Sequence, residues 1–585
     1  MKPLRDYQQA DVDAIFAEWK SVQSTLYVAA TGLGKTRVMV DVARRKLPGR
    51  TLLLAHRNEL ISQARAAFEE QGMHVEIEKA DSFAEANLFS ECPVVIATVQ
   101  TLLSGNDDEY RMERFDPKQF SLLLYDEAHR SISVGNKKIV EYFTKGNPDL
   151  RCLGVTATPD RTDEEALGQI FETVASERDI LWANDNGWLV PPMQRMVSVE
   201  GLDFSDMRTT CGDLNSADLA SVMESESCVQ GVVQPTLETL FDFEPGTLSD
   251  VPPTEWEKYL KEFPIMHKAI VFTVSVLQAE MLSNIFNRAS SGISNWVCGK
   301  TNHDDRISIL EDFRKGGCHN ILVNVGVLTE GYDNPDVDVI VMARPTKSRS
   351  LYAQCIGRAL RPEPGLVDKH LLADDRLNAI AISRKPAATI LDFVGNSGRH
   401  KLVCTADLLG GKSSDEAIER ARVKVSKSST PVLMTKALLD AEEELKNEAN
   451  KRRISDEARK ARVLAKVNYS STNISAFDVF GLTATRERGW ETGKSLSDKQ
   501  RDVLLKQGID PTGMPYHAQK RVLNEIFRRF TDNLCSFKQA KLLNRNGIAA
   551  ENVTRQQAST LIDVMAKNQW KPLDQTFVAS VLKPK

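Results

Sequence analysis

From residue 25 to about 185, short apolar runs alternate with stretches of helical periodicity. Leu26 to Ala29, Thr51 to Ala55, Val94 to Ala97, Leu122 to Tyr125 and Cys152 to Val155 read as buried strands, and Glu59 to Glu70 reads as a helix between two of them. The alternation predicts a parallel sheet with helices on both faces and ligands at the carboxyl ends of its strands. From about 190 to 264 the rhythm is lost among Pro191-Pro192, Pro235, Pro245-Gly246 and Pro252-Pro253, which predicts a connector with some helix. It resumes at Lys268 to Thr273, Asn320 to Val325, Asp338 to Ala343 and Thr389 to Phe393, predicting a second α/β domain. Beyond about 410 the strands stop. Pro431 to Lys466 reads as helix, acidic early and basic late, an order that suits the helix dipole.

The last hundred residues carry a weak tandem repeat. Lys499-Gln500 recurs as Lys538-Gln539, Gly508-Ile509 as Gly547-Ile548, and Ala518 approximately as Ala558. Each copy predicts a helix, a glycine stop and a second helix, so the pair is expected to pack together as two hairpins. The fold class expected is therefore α/β: two tandem parallel-sheet domains followed by an all-α C-terminal region. The expected boundaries are 1–188, a connector 189–264, 265–410, a charged helical connector 411–490 and the helical repeats 491–585.

Composition narrows the function classes. The 585 residues are too many for one small binding module, and 75 Lys and Arg against 80 Asp and Glu leave a net charge of -5. Bulk charge thus gives no argument for a polyanion partner, and binding one requires a local basic groove. Apolar runs reach about six residues, far short of the roughly 20 that cross a bilayer, so no membrane association is expected. Met1 to Tyr7 meets an acid before any apolar stretch, unlike a signal peptide, and a cytoplasmic location is the expectation. The nine cysteines contain no C-x-x-C pair, which predicts buried free thiols.

Four short segments carry chemistry. Ala29-Ala30-Thr31-Gly32-Leu33-Gly34-Lys35-Thr36 follows a strand and precedes the amphipathic stretch Val38 to Lys46. Glycines here let successive N–H groups face a phosphate, Lys35 neutralises its oxygens and Thr36 can ligate Mg²⁺. Ala29 stands where the strict pattern has its first glycine, and a plain glycine-rich turn is the other reading.

Asp126 and Glu127, at the carboxyl end of a second strand, can hold Mg²⁺ and orient an attacking water, or merely cap a helix. Val155 to Pro159 offers two hydroxyls at a third strand exit. In Gln354 to Arg361, helical spacing is expected to bring Gln354, Arg358 and Arg361 near one face. There the two guanidiniums can reach one anion or simply face solvent.

In this order, the segments resemble the motifs of superfamily 2 helicases with two RecA-like domains, and Asp126-Glu127-Ala128-His129 resembles the DEAH box. Leu4-Arg5-Asp6-Tyr7-Gln8 resembles the adenine-reading Q-type motif, and Ala55 to Leu60, Ala97 to Thr101, Ala269 to Thr273 and Val323 to Pro335 resemble further motifs. The text around Leu328-Thr329-Glu330-Gly331-Tyr332-Asp333 is closest to the XPB, RadD and UvsW group of DNA helicases and translocases.

The resemblance covers roughly residues 1 to 400. It implies an ATP- and Mg²⁺-dependent enzyme in which Gln8 reads adenine, and Thr31, Gly32, Gly34, Lys35 and Thr36 hold the phosphates, Thr36 and Asp126 also holding the metal. Asp126 and Glu127 act on metal and water. His129, Thr156 and Thr158 couple nucleotide to nucleic acid, Gly331 and Asp333 line the cleft, and Gln354, Arg358 and Arg361 complete the catalytic set. Arg57, Thr98, Thr273 and Thr329 are the implied contacts to nucleic acid, with DNA favoured over RNA and phosphates contacted more than bases.

The function expected is an ATP-driven nucleic-acid helicase or translocase. The alternatives are an ATP-gated clamp or recruitment module, with a protein partner docked on the C-terminal repeats, and the motor subunit of a restriction or defence complex.

Overall fold

The computed structural model describes residues 3–55, 58–79, 82–84, 92–106, 109–128, 134–157, 167–210, 213–316, 319–329, 331–396, 402–410, 413–464, 480, 493–568, 573 and 575–582. It divides into two compact units, Met1–Gly411 with Asp415–Glu443, and Lys412–Ser414 with Glu444–Lys585.

The first unit holds two seven-stranded sheets. The first runs Val75–Glu78, Val94–Thr98, Arg50–Ala55, Phe120–Asp126, Arg151–Thr156, Ser24–Ala29, Thr173–Arg178, with every neighbouring pair parallel. The five strands expected from apolar runs are its five inner ones. The two missed strands, VEIE and TVASER, are its edges, where one side of the ladder is unpaired and polar side chains are tolerated.

The second sheet runs Ser294–Cys298, Ile321–Val325, Ala269–Phe272, Val339–Met342, Ala388–Asn396, Pro192–Asp203, Val432–Leu433. Only the last pair is antiparallel.

That sheet corrects the expected connector over 189–264. Pro192–Asp203 lies in register beside Ala388–Asn396, from Pro192 opposite Ala388 to Ser198 opposite Val394. Helix Glu226–Leu240 buries Val229, Val232, Val233 and Leu237 in one core with Val271, Phe286 and Val341. The second domain therefore starts near Pro192. The prolines misled because Pro192 opens a strand, where its missing N–H is least costly, and Pro235 sits inside a helix that packing holds together.

The expected connector over 411–490 is also corrected at its start. Helix Asp415–Ser426 and the first turns of Met434–Leu464 bury Ile418, Ala421, Val425, Met434, Ala437, Leu438 and Ala441 in the core of the first unit. That same core is continuous across the two sheets, joining Val38 and Leu53 of the first domain to Ile356 and Leu360 of the second through Trp188, Leu189 and Val190.

In the second unit, helices Asp498–Lys506, Tyr516–Thr531, Phe537–Arg545 and Arg555–Lys567 surround a core that includes Leu504, Ile509, Val522, Leu543, Ile548 and Leu561. The recurrence of Lys-Gln records a helix cap. The Ser497 and Ser536 hydroxyls accept the N–H groups of Gln500 and Gln539 at 3.4 and 3.3 Å, and those amide oxygens accept the serine N–H groups at 3.1 and 3.0 Å. Gly508 and Gly547, at φ +81° and +78°, end the capped helices in the left-handed region.

Among the described residues, seven cysteines are free and buried, and no helix is long and apolar enough to cross a membrane.

Candidate active site

The buried strand Ser24–Ala29 delivers the chain into the loop before helix Lys35–Arg45. Ala29 is still in that strand, opposite Arg178, which is why the first position of the loop does not need glycine. Gly32 and Gly34, at φ +98° and +75°, do need it, and they turn the backbone toward the N-terminus of the helix that starts at Lys35.

Helix Asp6–Glu18 braces the loop. Gln8 Nε2 and the Tyr7 hydroxyl both donate to the Leu33 carbonyl, at 2.9 and 2.8 Å, and Gln8 Oε1 accepts the Arg5 N–H at 3.0 Å. Gln8 is buried, so the residue expected to read adenine is anchored to the phosphate loop itself. The fit is close: a Cβ on Gly34 would lie 2.7 Å from Gln8 Nε2.

Strand Arg151–Thr156 lies between Ser24–Ala29 and Phe120–Asp126, so Asp126, Glu127 and the buried Thr156 all emerge at the same end of the sheet as the loop. Asp126 Oδ1 accepts the Glu127 N–H at 3.0 Å. Glu127 is buried and held at φ +52°, a left-handed conformation costing about 1–3 kcal/mol in a non-glycine residue. Such strain is typical where a side chain must be aimed. His129, Thr158 and Arg57 lie outside the described residues.

The second domain closes onto this loop. Gly357 packs so tightly on Thr31 that an added Cβ would lie 2.6 Å from Thr31 Cβ. A Cβ on Gly32 would lie 2.9 Å from Leu189 Cδ2 and 3.4 Å from Arg361 Cγ. The Val190 N–H donates to the Leu360 carbonyl at 2.8 Å.

The expected shared helical face of Gln354, Arg358 and Arg361 is not formed. Helix Arg349–Ile356 stops at Gly357, and Pro362 keeps Arg361 extended. The two arginines take separate tasks. Arg358 donates through Nη1 to the Tyr332 carbonyl and through Nη2 to the Thr329 carbonyl, each at 2.6 Å, bracing the 329–333 loop. Arg361 reaches Gly32 and is ion-paired with Asp333. Burial pulls its guanidinium down to about 10, which leaves it charged at neutral pH. Its Nε is buried without a hydrogen-bond partner among the described residues, as is Gln354 Nε2.

Gly331, at φ +77°, offers its carbonyl to Gln63 on helix Asn58–Glu70 of the first domain.

Three expected nucleic-acid contacts have internal roles. The buried Thr98 hydroxyl caps helix Val99–Leu102 by accepting the Thr101 N–H at 3.2 Å. The buried Thr273 hydroxyl donates to the Asn324 carbonyl at 2.9 Å. Thr329 is buried and supplies its carbonyl to Arg358.

Trp188 and Arg376, which carry no motif signal, join Arg5 and Tyr7 of the Q-type segment in one cluster. Trp188 is faced by the guanidinium carbons of Arg5 and Arg376 at 4.7 and 3.9 Å from its ring centre, with Tyr7 at 5.0 Å. Arg5 also pairs with Asp368 of the second domain at 2.8 Å.

Two parallel-sheet domains meeting over one glycine-rich loop, with paired acids on the first and an arginine from the second, define a nucleotide-driven motor. The chain is similar to superfamily 2 ATP-dependent helicases. Residues 1–161 match the family described as "Type III restriction enzyme, res subunit", and residues 256–363 match the "Helicase conserved C-terminal domain".

IRC3 of Saccharomyces cerevisiae, named as an ATP-dependent helicase, is 27% identical over 522 residues, 86% of this chain and 68% of that protein. An irc3 protein of Schizosaccharomyces pombe, named as a mitochondrial ATP-dependent helicase, is 26% identical over 62% of this chain and 56% of its own length. The DNA 3'-5' helicase XPB of Mycobacterium tuberculosis is 25% identical over 70% of this chain and 66% of its own length. The chain thus spans 56% to 68% of the lengths of these three relatives.

Proposed function

We propose that the chain is a DNA-stimulated helicase or translocase of the DEAH-box, XPB-like group, whose hydrolytic step requires closure of the two sheet domains. The observation that carries this reading is Arg361, a partly buried side chain of the second domain lying over Gly32 of the phosphate loop with a buried, unpartnered Nε. A cation in that place is matched to the γ-phosphate, and Asp333 serves as its counter-ion until the phosphate displaces it.

The loop residues fit a triphosphate. Thr31, Gly32 and Gly34 present backbone N–H groups, Lys35 pairs with β and γ oxygens, and Gln8 holds the loop through the Leu33 carbonyl, placing the Q-type segment beside the base. Thr36 and Asp126 would hold Mg²⁺, which supplies charge neutralisation of the phosphates. Glu127 orients water and takes its proton, while Gln354 supplies a further donor to the cleft. Thr156, with His129 and Thr158, transmits the nucleotide state. Closure assembles these groups, and product release frees the domains to part, so binding energy moves the nucleic-acid contacts.

DNA is preferred on the likeness to a protein named as a DNA helicase. The contacts are to phosphate, made by Arg57 and by the loops that Thr98, Thr273 and Thr329 hold in shape. The C-terminal helices add a basic surface: residues 493–568 hold thirteen Lys and Arg against seven Asp and Glu, although the whole chain is acidic. This favours nucleic acid over a protein as their partner.

ATPase turnover with single-stranded, duplex and forked DNA and with RNA, at one fixed salt concentration, tests the reading. Stimulation by duplex or forked DNA supports it, and turnover indifferent to every nucleic acid refutes it. Removing residues 490 to 585 is expected to weaken fork and duplex binding.

A further inference from the structure

Lys385 lies outside both matched helicase segments, between helix Ala373–Ala381 and strand Ala388–Asn396. It is buried, and its ammonium is enclosed by main chain. Nζ donates to the carbonyls of Pro335 and Val337 at 2.8 and 2.5 Å and to the carbonyl of Arg361 at 2.8 Å. Three N–H donors meet three acceptors, a match only the protonated form offers.

The three carbonyls come from two separate parts of the site. Pro335 and Val337 follow the 329–333 loop and lead into strand Val339–Met342, whereas Arg361 carries the guanidinium that lies over Gly32. Next to it Arg384 donates its N–H and Nε to Glu363 Oε1, each at 3.2 Å, so residues 383–385 and 361–363 run together.

We propose that Lys385 is a positioning residue for hydrolysis: it fixes the backbone of Arg361 against the strand that supports Asp333, and so sets the reach of the guanidinium into the first domain. This rests on the role given to Arg361 above. Burial pulls the Lys385 ammonium down to about 7 against the opposing charges of Asp338, Asp336 and Glu363, so it is an expensive way to fill space, and an apolar side chain would do that task with no desolvation cost. What the ammonium adds is a fixed distance between the sheet and the Arg361 backbone. Arg361 has no helix to hold it, since the helix stops at Ile356.

The test is a double-mutant cycle on the full chain, reading DNA-stimulated kcat, KM for ATP and equilibrium binding of a fluorescent ATP analogue. Lys385→Met is expected to lower kcat about ten- to a hundredfold, the loss that follows from a reacting group misplaced by an ångström. Nucleotide affinity should change less than about threefold. In an Arg361→Ala background the same change should cost less than about twofold, because nothing remains to be positioned. Lys385→Arg, which keeps charge and donors, should recover part of the loss.

An equal loss with and without Arg361 overturns the proposal, as does an unchanged kcat in Lys385→Met. If Lys385→Met melts below the assay temperature, Lys385→Gln, with two donors, is read by the same criteria. Undiminished kcat in Arg361→Ala alone would instead overturn the role of Arg361, which keeps the two failures apart.

Discussion

Gly357 and Thr31 touch so closely that no side chain fits between them: a Cβ on Gly357 would lie 2.6 Å from Thr31 Cβ and 2.9 Å from its Cγ2. One residue belongs to the second sheet domain and the other to the phosphate loop of the first, so this contact gauges closure. Gly357→Ala should strain the closed form by about 1–3 kcal/mol, lowering stimulated turnover about five- to a hundredfold. The same Cβ would lie 2.9 Å from the Ala353 carbonyl oxygen within the second domain, so part of the strain persists when the domains part and the melting temperature should fall as well. Gly299→Ala, where nothing lies within 4 Å, is the neutral control.

Lys35 and Glu127 separate binding from chemistry. Lys35→Ala should lose ATP affinity, the loop having lost the cation at its helix N-terminus. Glu127→Gln should bind ATP and stay closed on DNA, with turnover down about a hundredfold or more. Filter binding of ATP beside steady-state turnover distinguishes the two. Retained stimulated turnover in Glu127→Gln would show that another group takes the proton.

Asp392 makes stability depend on pH. It is fully buried between strands, accepts from the Tyr352 hydroxyl and Gln194 Nε2, and burial pushes its carboxyl up to about 7. In the unfolded chain it ionises near 3.9. Between about pH 4 and 7 the folded state therefore holds a proton the unfolded state has released, and stability falls as pH rises through that window, then levels off. At about 1.4 kcal/mol per unit, the upper bound is about 4 kcal/mol. Asp392→Asn should flatten this slope in denaturant titrations at pH 5, 6, 7 and 8.

Trp188 ties the domains from the outside of the cleft. Trp188→Ala removes a buried ring and leaves the Arg5 and Arg376 guanidiniums without their shared face, a loss of about 3–5 kcal/mol in thermal or denaturant unfolding. Trp188→Phe should keep most of it.

The parts of the fold legible in the sequence were those where burial on both faces writes a continuous apolar run, as in Leu122 to Tyr125. Edge strands such as Val75–Glu78 carry glutamates and write no apolar run, and Pro192–Asp203 is masked because proline at a strand start looks like punctuation. At the site, the residues of the loop and the acid pair announced themselves because their chemistry needs fixed types at fixed spacing. The geometry of Arg358 and Arg361 did not follow from spacing, since Gly357 and Pro362 end the helix between them. Lys385, Trp188 and Arg376 act by packing and by main-chain hydrogen bonds across about 24 to 188 residues of sequence, and a linear pattern holds no trace of such partners.

The central claim is that one guanidinium from the second domain completes a hydrolytic site built on the first. Single-turnover ATP hydrolysis by Arg361→Ala, with saturating duplex DNA and with ATP affinity measured on the same preparation, tests it most directly. A rate lower by about a thousandfold is expected, with affinity within about threefold of the parent chain. An undiminished rate at unchanged affinity would contradict it.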